Sequence, residues 1–107
     1  MSPLPRSDLS SSSFYPASVA AARPAVLCFQ VLAEAEPGVM PRVLELFAKR
    51  NLVPRRWHSD VGGRSGRELA IDLQVAGLTL ETGEYIARSI RQLHYVDQVL
   101  ISEKTAA

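Results

Sequence analysis

The residues best placed to do chemistry form a turn between an apolar segment and an amphipathic one. The turn Glu36-Pro37-Gly38 follows the apolar run Ala25–Ala33. After it, apolar residues recur at helical spacing, at Val39, Met40, Val43, Leu44, Leu46 and Phe47. A helix that begins directly after a turn presents backbone N–H groups that lack partners within the helix. The stretch therefore predicts a strand–turn–helix junction where a small anion can be held.

Residues that catalysis or metal binding would need are sparse. Cys28 is the only cysteine, which excludes an internal disulfide and a cysteine-based zinc or iron–sulfur site. His58 and His94 have no evident orienting carboxylate or nucleophile, so we interpret them as surface or capping residues. The chain also lacks a phosphate-cradling Gly-Lys-Ser sequence and a paired nucleophile and base. We therefore predict no catalytic residues, no metal ligands and no cofactor, and hence a protein that is not an enzyme.

The composition predicts one small globular domain without a strong charge bias. The 107 residues are 47% hydrophobic and 21% charged, and 12 Lys plus Arg against 11 Asp plus Glu leave a formal charge of +1. This balance gives no general reason to expect nucleic acid or an anionic membrane as a partner. No apolar run approaches the ~20 residues that cross a bilayer, and the start of the chain is a poor secretory signal. We expect a cytoplasmic protein.

The first 24 residues differ from the rest in composition. They contain Pro3, Pro5, Pro16 and Pro24 around the serine run Ser10–Ser13. Such a segment buries too little apolar surface to offset its ordering entropy, so residues 1–24 are predicted to be a disordered tail. A short helix, or packing of this segment against a partner, stays open as an alternative. The folded domain is expected to span residues 25–104.

Six elements in the order β-α-β-β-α-β are predicted for that domain. Their expected positions are strands at 25–33, 53–61, 67–75 and 95–102, with helices at 39–50 and after Thr79. Right-handed crossovers place strands one and three in the centre of the sheet, and Pro54 places strand two at an edge. The sequence thus predicts an α+β, ferredoxin-like sandwich: a four-stranded antiparallel sheet with two helices on one face. Because strand one is apolar at nearly every position, its second face should also be covered, and a second copy of the protein is the simplest cover.

Other sites that this fold commonly carries lack the residues they need. An RNA-recognition surface requires aromatic side chains on strand three, and Arg67–Val75 contains none. A metal-carrying version needs paired cysteines in the first loop, which are absent. The run Arg55–His58 interleaves basic and aromatic residues, and is compatible with an acidic partner or with a solvated edge that discourages strand addition.

The segment Val31–Val43 reads V-L-A-E-A-E-P-G-V-M-P-R-V and continues in Leu46–Arg50. The later elements share a register that ends with Leu93, Val96, Asp97, Val99 and Ile101–Glu103. In these features the sequence resembles the ACT domain, a small regulatory module that binds amino acids, from about residue 25 to residue 104. It looks most like the small regulatory subunits of acetolactate synthase, also called acetohydroxyacid synthase.

The resemblance implies a binding site between two protomers. An effector's carboxylate would meet the backbone N–H groups of Gly38, Val39 and Met40. Ala35 and Val53 occupy the positions where feedback-sensitive members of the family carry side chains that hold the effector's ammonium group. Glu36 or Glu34 is a candidate to replace one of those contacts. The implied ligand-binding set is therefore Ala35, Glu36, Gly38, Val39, Met40 and Val53.

The resemblance also implies what the domain does. It predicts a non-catalytic regulatory domain that forms a homodimer, binds a small amino acid and modulates the catalytic subunit of an acetolactate synthase-like enzyme. The alternative is an ACT-like dimerisation or protein-interaction module that binds no effector. In that case Pro37-Gly38 makes only a tight turn between strand and helix.

Overall fold

The computed structural model describes residues 25–104, so the predicted tail lies outside the described residues. Six elements follow in the predicted order. They are β1 (Ala25–Glu34), α1 (Val39–Ala48), β2 (Arg56–Gly62), β3 (Glu68–Leu78), α2 (Leu80–Arg91) and β4 (Val96–Lys104). The four strands form one antiparallel sheet in the order β2-β3-β1-β4. This is the predicted ferredoxin-like sandwich, with β1 and β3 in the centre.

The core lies between the sheet and the two helices. Alternate residues of the central strands, such as Val31 and Ile71, point into it and are almost fully buried. Phe29 of β1 meets Phe47 of α1 edge to face, with ring centroids 5.1 Å apart. The helices contribute the rest of the buried apolar set, namely Val39, Val43, Phe47, Ile86, Ala87 and Ile90. The inward-facing residues of the strands, which recur every two positions, and those of α1 and α2, which recur at helical spacing, therefore pack into one core.

Several element boundaries differ from the sequence expectation by one to three residues, and three of these differences have a clear physical reason. β2 begins at Arg56 rather than at residue 53, because Pro54 has no N–H to donate; the first backbone bond from this segment to β3 is Arg55 N–H to Gln74 O, 2.8 Å. β3 continues past Gly77, which adopts φ +87° without ending the strand. α1 ends at Ala48 rather than at residue 50, and Asn51 has φ 60°, the left-handed conformation expected after this helix.

The second face of the sheet carries the other half of each strand. On β1 these residues are Val26, Cys28, Gln30 and Leu32, which are partly or fully exposed, unlike their buried neighbours. Within residues 25–104 no element packs over this face. The prediction that a second copy covers it stays a prediction.

Candidate functional site

The β1–α1 junction is fixed by backbone hydrogen bonds to two distant parts of the chain. The Glu34 N–H donates to Tyr95 O at 2.9 Å, and the Ala35 N–H donates to Arg67 O at 2.8 Å. The Glu36 N–H then turns back to Glu34 O at 2.8 Å. These bonds hold the end of β1 against the start of β3 and the loop before β4. The turn that follows is therefore positioned by the sheet itself.

Gly38 stands at the N-cap of α1 with ordinary helical angles, φ −81° and ψ −7°. This conformation is open to any residue, so the glycine is not needed for backbone geometry. Its lack of a side chain matters instead, because a Cβ would collide with Nη1 of Arg42. That guanidinium folds back over the turn and donates from Nη1 to Gly38 O at 3.1 Å. The Arg42 backbone N–H reaches the same oxygen at 3.3 Å.

The three backbone amides named by the resemblance are not equivalent. The Val39 N–H donates to Glu36 O at 3.1 Å, so the chain itself already occupies it. For the Gly38 and Met40 N–H groups, the described residues provide no acceptor. Pro41 follows with no N–H at all. Two free donors and one neighbouring guanidinium therefore surround the turn, which is a donor set suited to a carboxylate.

The remaining predicted residues lie around this turn at different depths. Ala35 is half-buried and packs against the core, and Glu36 is half-buried. The Met40 side chain lines an apolar groove of about 400 Å³ between α1 and the entry to β2, together with Pro41, Leu44, Pro54 and Trp57. Val53 is 83% exposed and does not line this groove, although its neighbour Pro54 does. Within one copy, Val53 therefore adds no lining to the groove and presents its side chain to solvent.

Sequence reasoning missed two features. Arg42 was not assigned a role, although it lies four residues after Gly38 and one helical turn brings such positions together. His58 does have a carboxylate partner: its Nε2 lies 2.9 Å from Oδ2 of Asp60. The period of two in strands places these two side chains on the same face, so the spacing His-x-Asp was the available signal.

Two findings concern residues 25–104. No group of three or more His, Cys, Asp or Glu side chains there is arranged to hold a metal ion. No described helix has the length and apolar character needed to span a bilayer.

Open backbone donors at the β1–α1 turn of this ferredoxin-like sandwich can hold a small anionic group. A family model described as an ACT-like domain matches residues 19–107. The chain therefore belongs to the ACT-like domain family, whose members are typically regulatory and ligand-binding. The match begins six residues before β1, within the segment predicted as a tail. No curated protein sequence matches this chain.

Solved structures agree with the fold. The ACT domain of the GTP pyrophosphokinase from Chlorobium tepidum superposes with a TM-score of 0.62 at 10% identity, covering 75% of this chain and 100% of that domain. The C-terminal domain of MgtC from Mycobacterium tuberculosis gives 0.61 at 14% identity, covering 78% and 89%. A homoserine dehydrogenase from Thiobacillus denitrificans gives 0.59 at 18% identity, covering 78% of this chain and 18% of that enzyme. At these identities the likeness concerns the fold alone.

Proposed function

We propose that this chain is a non-catalytic regulatory domain that binds an amino acid at the β1–α1 junction of a homodimer. The observation that carries the proposal is the pair of Gly38 and Met40 N–H groups without an acceptor in the described chain, beside the Arg42 guanidinium. The ligand's carboxylate accepts from these donors at the positive end of the α1 dipole. A charge-assisted hydrogen bond of this kind is worth about 1.5–3 kcal/mol.

The rest of the ligand is an ammonium group and an apolar side chain. Glu36 is the nearest half-buried carboxylate in the turn, and it pairs with the ammonium in place of the polar groups that Ala35 and Val53 cannot supply. The groove beside Met40 and Trp57 accepts an apolar side chain. The exposed Val53 packs against the second copy, which closes the crevice. We accordingly favour a small apolar amino acid as the effector.

Regulation then follows from differential binding. An effector that joins two protomers stabilises the arrangement to which it binds better, and a partner enzyme that contacts the dimer responds to that arrangement. The proposed partner, a cytoplasmic catalytic subunit similar to acetolactate synthase, is based on the sequence resemblance described above.

One set of observations favours a second function, an ACT-like module that dimerises or recruits a protein without an effector. The Val39 N–H is already bonded to Glu36, the Arg42 side chain lies over Gly38, and Ala35 and Val53 offer no side-chain hydrogen bond. Under this alternative the turn serves only to connect β1 with α1.

Calorimetric titration of the full chain with the common amino acids separates the two functions. We expect at least one apolar amino acid to bind with millimolar or tighter affinity. Arg42→Gln should weaken that binding roughly 10-fold or more, because a charge-assisted hydrogen bond is lost. Gly38→Val should abolish it, because the new side chain fills the approach to the amides.

The matched control is Lys49→Gln, which removes one positive charge from the other end of α1 and should leave binding unchanged. If none of the amino acids binds, the effector-blind module is the better description. The partner is tested separately, by pull-down and activity assay with a candidate catalytic subunit. No recovery together with unchanged activity would contradict the proposed partner while leaving the amino-acid site intact.

A further inference from the structure

The face of the sheet opposite the helices, here called the open face, has features of a specific contact surface. At its centre a shallow depression of about 330 Å³ is lined in part by Leu32, Leu100, His58 and Asp60. Leu32 is 36% exposed and Leu100 is 53% exposed, although Leu32 lies on a central strand. Leu32 on the central strand β1 and Leu100 on the edge strand β4 are diagonal neighbours in the register, so they form one exposed apolar patch. A contiguous apolar patch surrounded by polar side chains indicates a surface that another molecule covers.

Charges on the open face are separated along the strand direction. On β2 the side chains of Arg56, His58 and Asp60 alternate with core-facing residues and so share this face. The basic end also carries Lys104, whose Nζ reaches Oε1 of Gln74 at 3.5 Å. The opposite end is acidic, since Glu34 and Glu68 are paired there in the register of β1 and β3. The face is therefore more positive at the Arg56 end and more negative at the Glu34 end, where Arg67 offsets part of the negative charge.

A surface with this pattern is complementary to itself under a two-fold rotation. Arg56 and Asp60 lie two positions on either side of His58, about 13 Å apart at 3.3 Å per residue. A two-fold axis in the plane of the contact, perpendicular to β2 and passing near His58, places Arg56 opposite the partner's Asp60. By symmetry, the partner's Arg56 lies opposite Asp60 of the first copy. The same axis crosses β1 at Gln30, the register neighbour of Asp72 and hence of His58.

We propose that the open face is an interface between two copies of this chain, packed sheet on sheet around this axis. The Arg56–Asp60 pairs fix the orientation, and the apolar patch around Leu32 and Leu100 supplies the burial. The proposal goes beyond the amino-acid site, because the open face and α1 lie on opposite sides of the sheet. Association through the open face doubles the mass of any assembly that forms at the β1–α1 junction, and this association is called the doubling step below.

The size of the face sets the expected strength of the contact. Four strands at about 4.8 Å spacing and about eight residues of strand at 3.3 Å per residue give roughly 500 Å² per copy. The total of roughly 1,000 Å² is at the lower limit for a specific interface, so we expect a concentration-dependent doubling at micromolar chain. Aligned sheets pack about 10 Å apart with their strands rotated by about 30°, a separation that long Arg and Asp side chains can bridge.

One feature of the face opposes the contact. Asp72 lies in the same row as His58 and close to the axis, so the two copies bring their Asp72 carboxylates near each other. Like charges placed in this way weaken association, although His58 of each copy is adjacent. The proposal therefore predicts that Asp72→Asn, which removes this repulsion, strengthens the interface.

Pairing through the free edge of β4 is the main competing self-contact. On that strand the Val99 carbonyl already accepts from Nη2 of Arg91 at 2.9 Å, so an added strand would lose this acceptor. A side chain that occupies an edge carbonyl is a common protection against strand addition. The open face is thus a better candidate for the doubling step than the edge of β4.

The test is the mass of the full-length chain by sedimentation equilibrium over a range of concentrations. Arg56→Glu and Asp60→Lys should each weaken the doubling step at least 10-fold, because each places like charges opposite one another. The double variant Arg56→Glu/Asp60→Lys should restore it to within about 3-fold of the wild type. Asp72→Asn should tighten it at least 2-fold.

Two controls separate the interface from net charge. Arg88→Glu changes the formal charge as Arg56→Glu does, but it lies on α2 on the other side of the sheet, and it should have no effect. The pair Arg88→Glu/Asp60→Lys restores the wild-type formal charge of +1 and should nevertheless fail to restore doubling.

Three results would overturn the proposal. The first is a wild-type mass that does not double up to millimolar chain. The second is single variants that behave as the wild type does. The third is a chain lacking residues 1–24 that doubles where the full chain does not, since the N-terminal segment would then be the occupant of the open face. The second and third results leave the proposed function to its own test, whereas a chain that stays monomeric would also contradict the homodimer at the β1–α1 junction.

Discussion

The two helices begin in opposite ways. At α2, Thr79 is in extended conformation, and its Oγ1 accepts from the Thr82 N–H at 3.2 Å. Glu81 adds a carboxylate in the first turn, where it complements the helix dipole. At α1, the N-cap is Gly38, and neither a side-chain cap nor an acidic residue is present in the first turn.

This difference distinguishes a helix start that is stabilised by its own side chains from one that leaves backbone donors available to a ligand. The start of α2 supplies its own acceptor, as isolated helix starts usually do. The start of α1 is held instead by backbone bonds from Glu34 and Ala35 to the loops beside it, so it keeps its shape without a cap. Donors left free at a rigid position are available to a ligand without any change of fold.

The largest expected effect contrasts the two glycines near these helix starts. Gly83 of α2 is buried, and a Cβ there would collide with Leu27 Cδ1 and lie 3.0 Å from Ile101 Cδ1. Overpacking of this kind costs about 1–3 kcal/mol, and we expect Gly83→Val to lie near the upper end because both neighbours belong to the sheet. Urea unfolding followed by circular dichroism measures the loss.

The matched variant is Gly38→Val. Its new side chain meets only the flexible end of Arg42, so the free energy of unfolding should change by less than ~0.5 kcal/mol. Equal destabilisation by the two variants would remove the distinction between a packed helix start and an open one.

A smaller effect is expected at the cap of α2. Thr79→Ala removes the acceptor of the Thr82 N–H and should lower the free energy of unfolding by about 1 kcal/mol. The same unfolding measurement applies. As a control, Thr82→Ala retains the backbone bond and loses only the hydroxyl contact to Thr79 at 3.2 Å, so it should cost less. A larger loss at Thr82 than at Thr79 would show that the backbone cap does not hold this helix.

The fold could be predicted largely from local rules. The period of two in β3, the helical period in α1, the cap at Thr79 and the left-handed Asn51 each depend on residues close in sequence. Errors arose where tertiary pairing decides the outcome. β3 passes Gly77 because β1 continues beside it: Ala25 pairs with Leu78 across a register shift.

The candidate site was less accessible to such rules. Its position after β1 could be predicted from the Pro-Gly turn, but whether each backbone N–H is hydrogen-bonded could not. Whether the Val39 N–H finds Glu36 O depends on the turn's exact backbone angles, and the position of Arg42 over Gly38 depends on a long side chain with several rotamers. The exposure of Val53 is likewise set by the loop between α1 and β2, which has no periodic signal.

The smallest effect tests the open helix start directly. Gly38→Asp places a carboxylate at the positive end of α1 and beside the Arg42 guanidinium, which together should stabilise the domain by about 0.3–1 kcal/mol relative to the isosteric Gly38→Asn. The gain should decrease with added salt, because exposed charges are screened. Urea midpoints of both variants at low and high salt measure it.

The same carboxylate should prevent binding of an amino acid, since it occupies the donors that the ligand's carboxylate needs. Gly38→Asn, which lacks the charge, should retain more of the binding than Gly38→Asp does. If the Gly38→Asp and Gly38→Asn variants have the same free energy of unfolding and bind the amino acid equally well, the α1 N-terminus does not attract an anion measurably. The contrast between the two helix starts would then be one of sequence only, and the turn would serve as a connection between β1 and α1.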